Sequence, residues 1–230
     1  MEDLEIDVGP TIGTVPGILL RPPDARLLYV LAHGAGAGMR HHFMDAIAEA
    51  LAARGIATLR YQFPYMEAGP RRPDPPQVLQ ATVRAAVTAA ARLAPDLSLV
   101  AGGKSLGGRM TSGAQARDPL PGVRALVFLG FPLHPPKQPG VSRAEHLAGV
   151  HIPMLFLQGT RDDLADLALV TNVCRDLGSR ATLHVVDGAN HAFEVLKRSG
   201  RTNEEVREEL VGTIEEWCRA LPRDPPGADR

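Results

Sequence analysis

Residues 97–108 read LSLVAGGKSLGG. The first six, 97–102, form a short, largely apolar run of the length and character of a strand buried on both faces. Gly103-Lys104-Ser105-Leu106-Gly107 follows at once, a GxSxG pattern where strand passes into helix. A serine displayed at such a junction needs a turn so tight that its backbone is strained and its neighbours are tiny. Gly103 and Gly107 supply that room, and Ser105 becomes the candidate nucleophile. The same glycines also suit a turn that merely packs a helix on a strand, so the rest of the chain has to separate the two readings.

Working outward, further short apolar runs lie at 27–32 (LLYVLA), 57–61, 125–129, 153–158 (PMLFLQ) and 181–186. Between them apolar residues recur at helical spacing: Phe43, Ile47 and Leu51; Leu79, Val83, Ala86, Val87, Ala90 and Leu93; Leu167, Val170, Cys174 and Leu177; Val206, Leu210, Ile214, Trp217 and Leu221. Strand and helix thus alternate from residue 27 onward, which predicts an α/β fold with a mostly parallel, doubly wound sheet flanked by helices. Residues before 27 are expected to add one or two antiparallel edge strands. The proline-rich stretches 64–76 and 131–140 read as irregular rim linkers. One domain over 1–221 is expected, with 222–230 as a frayed tail.

In an open α/β sheet, ligands bind beyond the carboxyl ends of the strands. A serine hydroxyl is a weak nucleophile and needs a base, which in turn needs an orienting group. His191 follows the run at 181–186 and is the candidate base. Asp162 follows the run at 153–158, within Gly159-Thr160-Arg161-Asp162-Asp163, and is the favoured acid, with Asp163 and Asp187 as competitors. Acyl transfer also requires donors for a developing oxyanion. The loop His33-Gly34-Ala35-Gly36-Ala37-Gly38 and the helix start at Leu106 supply the expected pair, the backbone N–H groups of Ala35 and Leu106. His33 reads as a loop organiser. No metal site is expected around His33, His41 and His42, because no carboxylate stands at ligand spacing, and serine chemistry calls for no cofactor.

Hydrophobic residues make up 44% of the 230 and charged residues 22%, enough for a large core. A net charge of −1 gives no field to gather nucleic acid or an anionic membrane. Glu2, Asp3, Glu5 and Asp7 are the opposite of a basic secretory start, and no run approaches the roughly 20 apolar residues of a membrane span. Cys174 and Cys218 both fall in helical patterns, so no disulfide framework is implied. A cytoplasmic protein acting on a small-molecule acyl substrate is expected, without a nucleic-acid or membrane partner; the oligomeric state stays open.

The order Ser105, Asp162, His191, together with His33-Gly34 and GxSxG, resembles the α/β-hydrolase superfamily. Arg60-Tyr61-Gln62-Phe63-Pro64-Tyr65 and Gly103-Lys104-Ser105-Leu106-Gly107-Gly108-Arg109 resemble its small dienelactone-hydrolase-related group. That group includes testis-expressed hydrolase-like proteins and the hydrolase-like subunit of a chromatin acetyltransferase complex. The resemblance implies an α/β-hydrolase fold and serine esterase activity. It departs at the nucleophile, where dienelactone hydrolases proper carry cysteine and this chain has Ser105, which directs the expectation to an ordinary ester or thioester. Lys104, Arg109, Arg60, Tyr61 and Tyr65 are candidates to line the pocket, Lys104 and Arg109 equally as structural partners of nearby groups.

Two other classes remain to be weighed. Gly103-Lys104-Ser105 ends like a P-loop, but the glycine required five positions before Gly103 is Ser98, so the anion cradle is missing. A non-catalytic scaffold on the same fold is the other, since fold alone does not establish activity. The roughly two dozen residues between 129 and 153 include Pro132, Pro135, Pro136 and Pro139, too many for a long lid helix. No large cap domain is therefore expected. The pocket should be shallow, bounded by that segment and by the loop around Tyr65 and Met66, with a preference for short acyl groups.

Overall fold

The computed structural model describes residues 1–67, 69 and 72–222. Its strands are β1 (Glu2–Asp7), β2 (Thr14–Leu20), β3 (Leu27–Ala32), β4 (Ile56–Tyr61), β5 (Ser98–Lys104), β6 (Val123–Leu129), β7 (Met154–Arg161) and β8 (Ala181–Asn190). They form one sheet in the order β1-β2-β4-β3-β5-β6-β7-β8. The pairs β1–β2 and β2–β4 are antiparallel, and every pair from β4–β3 across to β7–β8 is parallel. Strand order reverses around β3, so β3 and β5 lie side by side at the switch point, where ligands bind in such sheets.

The helices are α1 (His42–Ala52), α2 (Pro64–Glu67), α3 (Pro76–Leu93), α4 (Leu106–Arg117), α5 (Leu167–Leu177) and α6 (Asn203–Ala220). Alternation along the strands assigns them to two faces. Tyr29 and Leu31 of β3, Val127 of β6 and Leu155 of β7 point to the face covered by Ile47 and Leu51 of α1 and Val206 and Ile214 of α6. Leu28 and Val30 point to the opposite face, against Leu79 and Val83 of α3, Met110 of α4 and Val170 of α5. Helices on both faces explain why the central strands are apolar throughout. β1 closes one edge with exposed Glu2, Asp3, Glu5 and Asp7 outside a buried Ile6, a charged rim that discourages pairing with another chain.

Three local expectations need correction. Within 64–76, Pro64–Glu67 forms a helical turn, because a proline at the first position pre-sets φ and buried Tyr65 anchors it. Segment 131–140 carries no helix or strand, yet Phe131, Leu133 and His134 are buried, and Leu133 and His134 both donate backbone N–H to Leu164 O. β8 continues to Asn190, beyond the expected end at 186, through a register shift opposite Gly159 and Arg161. A Cβ at Gly159 would sit 2.3 Å from Ala189 O, so glycine permits that close pairing. Of the expected tail, residues 223–230 lie outside the described residues.

α6 starts with a capping box: Thr202 Oγ1 accepts from Glu205 N at 3.1 Å, and Glu205 Oε2 accepts from Thr202 N at 2.7 Å. Thr202→Ala is therefore expected to cost about 1 kcal/mol and to lower the thermal midpoint by roughly 2–4 °C. Scanning calorimetry checks this; an unchanged midpoint would mean the box does not hold the helix start.

Candidate active site

Ser105 stands between β5 and α4 with φ 50° and ψ −115°, a conformation rare for any residue but glycine. The surrounding contacts impose it. A Cβ on Gly103 would lie 2.2 Å from Ala32 O, and one on Gly107 would lie 2.6 Å from both Ala32 O and His33 O. The turn is thus pressed backbone to backbone against the end of β3, and Ser105 N–H is held by Leu129 O of β6 at 3.1 Å.

The strands then bring three distant residues together. Ser105 Oγ and His191 Nε2 are 2.8 Å apart, and His191 Nδ1 and Asp162 Oδ2 are 2.7 Å apart. An acceptor carboxylate at Nδ1 assigns the proton there, leaving Nε2 to accept the serine hydroxyl. Asp162 is buried, and its second oxygen accepts Leu164 N–H at 2.8 Å. Gln158, wholly buried on β7, donates through Nε2 to Asp162 Oδ2 at 2.5 Å while its Oε1 accepts Phe131 N–H at 3.0 Å. Asp163 is exposed, and exposed Asp187 faces Thr160 Oγ1 at 3.4 Å. Neither competitor reaches the imidazole.

His191 is carried by a turn that Asn190 organises, its Oδ1 accepting N–H from Ala192 and Glu194 at 2.9 Å each. Lys104 ties this turn to the serine turn: its Nζ donates to His191 O at 2.6 Å and lies 5.4 Å from the Phe193 ring centroid. Burial lowers the Lys104 amine to about 8, against the pull of Asp162. On the other side, His33 Nε2 accepts Phe63 N–H at 3.0 Å and Nδ1 faces Gly34 O at 2.7 Å. Tyr65 OH donates to Ala35 O at 3.0 Å. These bonds fix the loop that carries Ala35, while Leu106 opens α4, where helix N–H groups lack intrahelical partners.

The candidate pocket residues divide. A cavity of about 580 Å³ opens at Ser105 and His191, and Ala35 and Lys104 also line it. Lys104 reaches it while engaged with the backbone carbonyl of His191. Tyr61 is fully buried in the core beneath, and Arg60 is buried against Asp45 and Met39 O at 3.0 Å. Tyr65 buttresses the loop from behind. Arg109 faces the 142–149 turn, where burial and the charge of Arg143 lower its pKa. The expected walls need the same correction: the cavity runs between the starts of α1 and α6, and neither the 131–140 segment nor Tyr65 and Met66 bounds it. Among the described residues, no three His, Cys, Asp or Glu side chains converge as metal ligands would.

The family model described as Alpha/beta hydrolase domain matches residues 25–219, and the chain belongs to that family. Two Mycobacterium tuberculosis proteins that carry the name "Putative phosphoribosyl transferase" are each 30% identical over 198 residues, 84% of this chain. The chain spans 42% of their length. Among solved structures, a dienelactone hydrolase from Anabaena variabilis superposes with TM-score 0.75 at 22% identity, covering 96% of this chain and 99% of that one. An alpha-beta serine hydrolase homologue from Coxiella burnetii gives TM-score 0.72 at 22% identity over 93% and 97% of the two chains. A Xanthomonas campestris serine hydrolase described as lacking a lid gives 0.72 at 22% over 97% and 96%. These likenesses fix the fold: an α/β-hydrolase sheet without a large cap domain.

Burial lowers the His33 imidazole from 6.5 to about 4, so between these values the unfolded chain binds a proton that the folded chain refuses. Stability carried by His33 is complete above 6.5 and is lost as pH falls toward 4. By pH 4.5 the loss should reach about 2 kcal/mol. Urea unfolding of wild type and His33→Gln at pH 7 and 4.5 checks it: the variant should lose less between the two conditions. Equal losses would remove His33 from the account.

Proposed function

We propose that the chain is a serine hydrolase that cleaves a small-molecule carboxylic ester or thioester through an acyl-enzyme on Ser105. The observation that carries this reading is the relay Ser105–His191–Asp162, with contacts of 2.8 and 2.7 Å, on a serine held at φ 50°. A merely structural glycine turn has no need of a buried carboxylate aligned through an imidazole on its serine. In this reading His191 Nε2 takes the Ser105 proton as the oxygen attacks the acyl carbonyl. Asp162 holds the imidazole tautomer and balances the imidazolium, and Gln158 and the Leu164 N–H hold Asp162 in turn.

The N–H groups of Ala35 and Leu106 are the proposed donors to the tetrahedral oxyanion. Collapse returns the proton from His191 to the leaving group, and the same nitrogen then activates water to release the acid. The sequence of steps requires no metal or cofactor. Both cysteines, Cys174 and Cys218, are free, which suits a reducing compartment such as the cytoplasm; among the described residues no helix is long and apolar enough to cross a membrane. The name of the Mycobacterium tuberculosis relatives applies to proteins of which this chain spans 42%, and nothing in the Ser105 site calls for that chemistry.

A fluorophosphonate should label wild type at one residue, and Ser105→Ala should abolish labelling while leaving the fold intact. Asp162→Asn should lower kcat/KM by about 10⁴, because the wrong tautomer of His191 then faces the serine, whereas Asp163→Asn should fall within a few-fold of wild type. Labelling at another serine or damage confined to Asp163→Asn would each contradict the assignment. A non-catalytic scaffold would show none of these responses.

A further inference from the structure

The cavity at Ser105 has a direction. From the serine it runs between two helix starts, along Phe43 and Ala46 of α1 and Asn203, Arg207 and Leu210 of α6. The α6 positions lie on one helix face, the first and last seven residues apart, a separation of about 10 Å at 1.5 Å per residue. Phe43 stacks nearly parallel on Phe193, with centroids 6.0 Å apart and planes 10° apart, and Met44 and Leu210, almost wholly buried, complete this part of the lining. These rings and aliphatic groups supply the apolar part of a lining that also includes Ser105 and His191.

Several polar groups on the same lining already have partners within the protein. Asn203 Oδ1 accepts Val195 N–H at 3.0 Å, Glu194 accepts from Asn190 Nδ2 at 3.3 Å, and Arg207 pairs with Glu204 at 3.0 Å. His41 Nδ1 accepts Phe43 N–H at 3.3 Å, and the His42 ring lies against His41 at 4.1 Å between centroids. Lys104 is bonded to His191 O. An apolar substituent gains contact along the ring wall without disturbing any of these bonds. About 580 Å³ lies within the range of roughly 300–1,000 Å³ typical of sites for sizeable organic ligands.

We infer that the substrate is an ester or thioester bearing an uncharged apolar group of medium length, lodged between α1 and α6 along Phe43, Ala46, Phe193 and Leu210. This rests on the hydrolase reading of Ser105 and replaces the shallow pocket expected from the proline-rich segment. A 10 Å groove accommodates an extended chain of about eight carbons, so neither an acetyl group nor a palmitoyl chain should be the best fit.

Two ester series test it and separate the two ends of the substrate: p-nitrophenyl esters from acetate to palmitate, and acetate esters of alcohols from methanol to dodecanol. In one series kcat/KM should climb by up to about fourfold per methylene, gaining at least about thirtyfold before levelling near eight carbons. A rise in the first series places the acyl group in the cleft, and a rise in the second places the alcohol there. Ala46→Trp, which fills the cleft, should cut the octanoate-to-acetate ratio, or its alkyl counterpart, by about tenfold or more, with folding checked by its thermal midpoint. Flat series with acetate turned over normally would overturn the cleft assignment while leaving the hydrolase reading standing. A wild-type chain that neither turns over any ester nor takes fluorophosphonate on Ser105 would overturn both.

Discussion

The backbone contact between the Gly103–Gly107 turn and the end of β3 is the constraint on which the rest of the site depends. Side chains at either glycine would meet the carbonyls of Ala32 and His33 at distances no real Cβ tolerates. Because both are hydrogen, the turn closes onto β3 and forces Ser105 to φ 50°. Relaxation is blocked from the other side by the bond from Ser105 N–H to Leu129 O. Strain of this kind costs on the order of 1–3 kcal/mol, and the deep burial of β3, β5 and β6 between two helical layers offsets it. The serine oxygen is thereby displayed at the sheet's carboxyl edge, next to the loop that carries Ala35.

Lys104 gives the site a second degree of order. Its neighbour in sequence is the serine, and its ammonium reaches the carbonyl of His191, so one residue joins the turn of Ser105 to the turn of His191. Desolvation works against holding a charge there and lowers the amine to about 8. The His191 carbonyl and the facing Phe193 ring offset part of that penalty. Gln158 plays the parallel part for Asp162, joining it to the backbone of Phe131 at the start of the β6–β7 connection. The relay is therefore braced at both ends by polar side chains, the partly buried Lys104 and the wholly buried Gln158.

Much of the fold was legible because it follows from period and punctuation. Apolar runs of strand length alternating with helical spacing lead to a parallel sheet, and GxSxG at one junction locates the serine. The order of Ser105, Asp162 and His191 could be read because each follows its own strand. Gln158 stands in the sequence as the last residue of an apolar run, and a glutamine in a strand buried on both faces is a signal that it has a partner. The extension of β8 to Asn190 was hidden because Asp187 and Gly188 look like a turn, and only the register shift opposite Gly159 keeps them in the sheet. The course of the cavity was hidden for a different reason. Phe43 and Leu210 satisfy the same helical periodicity as core residues, so sequence could not tell a wall facing a cleft from one facing the sheet. Tyr61 and Arg60 show the converse, polar-ended side chains drawn into the core by a strand that is buried along its whole length.

The central claim is that Ser105, activated by His191, becomes acylated. Rapid mixing of the chain with excess p-nitrophenyl acetate, acid quenching and mass measurement of the intact protein and its peptides tests it most directly. The account predicts one acetyl group per chain within the first turnover, carried by the peptide containing Ser105, and its absence in His191→Ala. Release of p-nitrophenol with no adduct, or an acetyl group on any other residue, would contradict it.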